Sequence, residues 1–186
     1  VTEDNTVMIG NAETETIGGY VNWTASSDGR FKSGIEENVV GLDFVNKLRP
    51  VTYNYDVDAI EAFYGRVVPE GLRRAADAKN NMRFTGFIAQ EVETAANSSG
   101  FEFSGVDAPS GGSEAYGLRY AEFVVPLVKA TQELSKKVKD QEAVINNQQA
   151  LLERYEASLK SVKTEMNVLR AQVNANTAAS GYSQSK

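Results

Sequence analysis

A serine hydroxyl is a weak nucleophile until a base removes its proton, and this chain offers few bases. It contains no histidine and no cysteine, which removes the commonest general base and the thiolate route. Acyl-transfer chemistry is thereby narrowed to a Ser-Lys or carboxylate-assisted mechanism. The segment Ser27-Asp28-Gly29-Arg30-Phe31-Lys32 sets a serine and a lysine five positions apart. Lysine serves as a base when burial or a neighbouring cation disfavours its ammonium form. Arg30 stands two residues from Lys32, where it either adds that push or holds the loop by pairing with Asp28. Backbone N–H groups of the glycine-containing turn are candidate oxyanion donors. Ser-Asp-Gly-Arg is equally an ordinary turn sequence, so spacing alone does not separate a dyad from a turn.

The surrounding elements must hold that hexapeptide. Residues 1–26 are short alternating stretches, Val7-Met8-Ile9-Gly10 and Ile17-Gly18-Gly19-Tyr20-Val21-Asn22-Trp23. They read as short β segments at the end of an upstream β-rich stalk, unable to bury a core without copies of themselves or preceding rungs. The start at Val1, without an initiating Met, suggests a piece of a longer polypeptide. Residues 27–118 read as a small mixed α/β domain. Ile35, Val39, Leu42, Val45 and Leu48 follow a helical period that predicts a helix over 33–48, weakened by Gly41. Arg49-Pro50 ends it. Val51 to Tyr55 alternates as a strand, a helical piece is expected around Ile60 to Tyr64, and the stretch after Pro69 reads as looser. Phe84 to Ala89 is a second strand candidate, Gln90 to Ala96 begins a helix, and residues 97–115 are turn-rich loop.

From Leu127 to Ser180 there is neither Gly nor Pro. With heptad position a at Val124, Thr131, Val138, Ile145, Leu152, Leu159, Met166 and Val173, position d falls on Tyr120, Leu127, Leu134, Gln141, Gln148, Tyr155, Val162 and Leu169. Thirteen of these sixteen residues are apolar or aromatic, a sustained 3.5-residue repeat that marks a coiled coil over residues 119–175. Val144 and Leu151 at g widen the seam beyond a two-stranded pattern. The oppositely charged g–e pairs Lys137 with Glu142 and Glu165 with Arg170 fit parallel chains. Gln141 and Gln148 are tolerable in successive layers if their amides bond one another around the axis. Residues 176–186 are small and polar and read as a flexible tail. The fold class expected is thus α+β, helix-rich, with a long C-terminal helix forming a parallel trimeric coiled coil.

Composition sets limits. A net charge of −6 and a pI near 4.8 argue against a nucleic-acid partner. No apolar run approaches the roughly 20 residues of a membrane span. No Asp/Glu cluster has metal-ligand spacing, and Gly18-Gly19 lacks the lysine and strand–helix setting of a phosphate loop, so neither a metal nor another cofactor is expected.

Four blocks carry a family resemblance. They are Ser27-Asp28-Gly29-Arg30-Phe31-Lys32-Ser33-Gly34-Ile35, Leu48-Arg49-Pro50-Val51-Thr52-Tyr53, Gly86-Phe87-Ile88-Ala89-Gln90-Glu91-Val92, and Tyr120 to Leu134. In this order and spacing the chain resembles the endosialidase-type intramolecular chaperone domain of phage tail spikes, tail fibres and bacterial surface proteins. The resemblance implies a homotrimer that assists folding of the upstream stalk of the same polypeptide and then cuts itself off. It implies Ser27 as nucleophile, Lys32 as general base, Asp28 and Arg30 in support, and Ser26–Ser27 as the scissile bond. It further implies a parent protein on a phage tail or bacterial cell surface. Two departures stand out: Thr94-Ala95-Ala96-Asn97 replaces a proline-containing continuation, and Asp56 to Asn81 is long for a phage member. Gln90 and Glu91 are read as a polar helix start rather than site residues. Two rivals remain: a non-cleaving structural trimerisation module, and a self-cleaving membrane-bound transcription factor, against which the lack of a basic or membrane-spanning region counts.

Overall fold

The computed structural model describes residues 7, 9–11, 14, 16–111 and 114–182, with side chains described as far as Asn176. The chain divides into two units, Val1–Glu133 and Leu134–Lys186. In the first, helix α1 (Leu42–Val45) precedes strand β1 (Val51–Tyr53). Helices α2 (Val57–Phe63) and α3 (Arg73–Asn81) follow, then strand β2 (Phe84–Gly86), helix α4 (Ala89–Ser98), and the short strands β3 (Val106–Asp107) and β4 (Gly117–Leu118). A 3-10 turn, Tyr120–Phe123, leads into helix α5 (Val124–Tyr182). The mixed α/β class with a long C-terminal helix is as the sequence predicts. The last four residues, within the expected tail, lie outside the described residues.

Strands β1 and β2 pair antiparallel, with Val51 opposite Gly86 and Tyr53 opposite Phe84. A two-stranded ribbon is marginal alone, and the aromatic core beside it supplies the missing burial. Phe44, Val92, Ala95, Ala96 and Phe123 are buried, with Phe87, Phe101 and Phe103 packed around them. The Phe44–Phe103 and Phe103–Phe123 centroids are 4.9 and 4.8 Å apart, tilted or edge-on, as ring quadrupoles prefer. Gly86 is required by close approach: a Cβ there would lie 2.3 Å from the Tyr120 hydroxyl, which accepts the Phe87 N–H at 3.1 Å.

Several expectations change. The helix predicted over 33–48 is helical only from Leu42 to Val45. Gly34 adopts φ +62°, a left-handed geometry that interrupts a helix. The Leu42 N–H is capped by the Glu133 carboxylate at 2.8 Å. The looser stretch after Pro69 contains α3, and the expected 97–115 loop contributes β3, which pairs with β4. Among the described residues before Ser27 there is no strand, and the Val7–Gly10 segment falls partly outside them at Met8.

The second unit is the continuation of α5. Its 134–182 stretch is about 74 Å long at 1.5 Å per residue. Every large apolar side chain of its heptad seam, from Leu134 to Val173, is 45–69% exposed. Exposed apolar surface of that extent is characteristic of interaction faces.

Candidate functional site

One turn brings Ser27 and Lys32 together. Asp28 caps the 3-10 turn Gly29–Phe31, its Oδ1 accepting the Arg30 N–H at 2.9 Å. The Phe31 N–H donates to the Asp28 carbonyl at 3.1 Å, and the Lys32 N–H to the Gly29 carbonyl at 3.2 Å. These bonds fold the chain back on itself, so that Lys32 Nζ reaches Ser27 Oγ and donates to it at 2.8 Å. The same separation serves the reverse transfer: a neutral Nζ would accept the hydroxyl proton along that line. Ser26, on the other side of the expected scissile bond, is exposed.

Arg30 takes the second of its two readings. Its Nε lies 3.1 Å from both Asp28 carboxylate oxygens and its Nη2 lies 2.6 Å from Oδ2. The guanidinium also lies 5.7 Å from the Phe31 ring centre. The pairing holds the Asp28 carboxyl below its usual range, chiefly through the Arg30 side chain and then through its amide. It raises the Arg30 guanidinium by the same bond. Arg30 therefore braces the turn. Of the turn's backbone amides expected as oxyanion donors, those of Arg30, Phe31 and Lys32 are engaged within the turn itself.

The Ser27–Lys32 pair lies in the open. Ser27 and Lys32 are exposed, and their apolar neighbours Trp23, Phe31 and Ile35 are exposed by three-quarters or more. Desolvation, which a lysine base requires, is absent from a single chain.

The other blocks are structural. Val92 is core and Phe87 packs against it, whereas Ile88 is exposed. Glu91 pairs with the Arg49 guanidinium, Nε to Oε2 at 3.0 Å, tying the start of α4 to the approach to β1, and Gln90 sits in the first turn of that helix. Two groups escaped the sequence reading. Glu133 caps α1 from 91 residues away. Lys79 of α3 donates to the Thr14 carbonyl at 2.8 Å. Neither leaves a local sequence signal. Among the described residues there is no cluster able to hold a metal, and no helix long and apolar enough to cross a membrane.

Residues 27–101 match the family model Peptidase_S74, described as chaperone of endosialidase, which is the family the sequence resembles. The match begins at Ser27 and includes the whole Ser27–Lys32 turn and the first three blocks. No curated protein and no solved structure matches the chain.

Proposed function

We propose, with the chaperone-of-endosialidase match as premise, that this chain is a C-terminal intramolecular chaperone. It trimerises through α5, assists folding of an upstream β-rich fibre or spike, and releases itself by cutting between Ser26 and Ser27. The observation that carries the cut is the 2.8 Å contact of Lys32 Nζ with Ser27 Oγ at the first residue of the matched segment. In the reaction, neutral Lys32 takes the Ser27 hydroxyl proton and Oγ attacks the Ser26 carbonyl carbon. The Ser26–Ser27 C–N bond breaks as the leaving Ser27 nitrogen is protonated, leaving an ester between the Ser26 acyl group and Ser27 Oγ. Water hydrolyses that ester to a Ser26 carboxylate and a new N-terminus at Ser27.

The trimer rests on the faces of α5. Phe123 of the preceding 3-10 turn and Pro126 and Ala130 of the helix are buried, while Val124, Leu127 and Leu134 stay exposed. One side is spent on the chain's own core, and the a/d side is left for other chains. Trimerisation also answers the exposure of the dyad. A neighbouring copy covering Trp23, Phe31 and Ile35 would strip water from the lysine, so that cutting follows assembly. The order is physically sensible. A coiled coil of local contacts forms early, whereas intertwined stalk strands are non-local, slow and aggregation-prone. Holding three stalks together raises their effective concentration.

The exposed dyad also favours a second reading, a permanently attached trimerisation module that never cuts. Cleavage time courses across a dilution series separate the two. The first reading expects the rate to fall as the trimer dissociates, and cutting to vanish in Lys32→Met at every concentration. A concentration-independent rate would sever cutting from assembly. An uncut wild-type trimer would favour the non-cleaving module.

A further inference from the structure

The Ser27–Lys32 turn contains the pair Asp28-Gly29, which has a chemistry that the proposed cut does not use. A backbone nitrogen that follows an aspartate can attack that residue's own side-chain carbonyl carbon. Glycine favours the attack, because it brings no Cβ into the approach and its backbone rotates freely. Gly29 is exposed, and a Cβ there would meet nothing within 4 Å. Neither bulk nor burial therefore protects this bond.

The Asp28 carboxyl is what the fold controls. Its Oδ1 accepts the Arg30 N–H at 2.9 Å, which aims it past Gly29 to the next residue. The Arg30 guanidinium grips both oxygens, Nε at 3.1 Å from each and Nη2 at 2.6 Å from Oδ2. This clamp fixes the rotation of the carboxyl and favours its ionised form. An ionised carboxylate has no hydroxyl to lose as water and resists attack by an amide nitrogen. Yet the clamp is itself a surface pair, its Arg30 side chain 81% exposed, and such pairs are weak enough to open.

We infer that Asp28-Gly29 is a site of spontaneous modification, aspartate to isoaspartate, which the Arg30 clamp holds shut in the folded turn. In the step, the Gly29 nitrogen bonds to Asp28 Cγ, and the nitrogen's proton leaves with the carboxyl hydroxyl as water. The product is a cyclic imide. Water then adds at the former main-chain carbonyl and breaks its bond to the Gly29 nitrogen. The chain now runs through Cβ and Cγ, the old main-chain carbonyl is a free carboxylate, and the mass is unchanged. The turn cannot survive this. It loses the Oδ1 cap on Arg30 and the Asp28 carbonyl that accepts the Phe31 N–H at 3.1 Å, two of the bonds that carry Lys32 back to Ser27. On the proposed cleavage, a chain that isomerises before cutting is disarmed; that consequence rests on the cleavage reading, and the modification does not.

The test uses a Ser27→Ala chain, which cannot cut itself, incubated at neutral pH and physiological temperature. Isoaspartate at residue 28 is counted by enzymatic methylation with an isoaspartyl methyltransferase and by electron-transfer fragmentation of the digested peptide. We expect slow accumulation with Arg30 in place and a rate several-fold higher in Arg30→Ala. Arg30→Lys, which keeps the charge and loses the planar fork, should fall between them. Gly29→Ala added to Arg30→Ala should bring the rate back down, since the space around Gly29 admits the methyl group. Equal rates with and without Arg30 would overturn the clamp. Absence of isoaspartate at residue 28 in Arg30→Ala would overturn the site. Both results are independent of whether Ser27 cuts.

Discussion

Leu152→Ala tests the seam of α5. Leu152 is 62% exposed in the single chain, so most of its burial is available only through association. Burying a leucine fully contributes about 1.5–3 kcal/mol, and the fraction still exposed accounts for about 1–2 kcal/mol per chain. Three copies meet in one layer of a trimer, giving roughly 3–6 kcal/mol per assembly. At about 1.4 kcal/mol per tenfold, the trimer's association constant should fall by about two to four orders of magnitude. Helix propensity does not confound the change, because alanine is the stronger helix former. Sedimentation equilibrium over a dilution series, in a Ser27→Ala background to keep the mass constant, reads the shift. An unaltered chain that is monomeric throughout, or a variant with the same midpoint, would refute the assignment of this face as the trimer seam.

Two further predictions probe the domain. At Gly41 a Cβ would stand 2.7 Å from Glu133 Oε2 and 2.8 Å from the Ala130 backbone nitrogen. The glutamate can swing away but the helix backbone cannot, so Gly41→Ala should cost about 1–3 kcal/mol and lower the melting temperature by several degrees; an unchanged melt would contradict the close approach. The pH dependence has two edges. Asp28, Asp43 and Glu61 have lowered carboxyl values, caused first by Arg30, Lys47 and Arg66 respectively. They contribute stability above the unfolded carboxylate value near pH 4, lost as pH falls through their lower folded values. Tyr53, raised chiefly by burial, and Tyr116, raised first by its bond to Glu93, contribute stability below about pH 10 that is lost as pH climbs through their folded values. Thermal melts from acid to alkali should show both declines. A melting temperature that rises outside either edge would contradict these assignments.

The parts of the fold written in local pattern were legible. The alternation over Val51 to Tyr55 marked β1, which ends two residues sooner, at Tyr53; the helix expected from Gln90 is α4, which begins at Ala89; and the heptads marked the long helix. The error over 33–48 has a physical source. Its apolar spacing suits a helix, but Ile35 is exposed, Gly34 turns left-handed, and Gly41 is held against the start of α5. Helix α3 was missed because Arg73–Asn81 buries only Ala76, too little to show a stripe. Strands β3 and β4, two residues each, are too short for alternation to register. At the candidate site, the turn and the Asp28–Arg30 pairing were legible because they are local. The commitment of the turn's amides was not, nor was the Lys79–Thr14 bond across 65 residues.

The most direct test of self-cleavage at Ser27 is the intact mass of the denatured protein, wild type beside Ser27→Ala. A fragment beginning at Ser27 in the wild type and missing from the variant is the predicted result. The same uncut mass in both, or the same fragment in both, would contradict it.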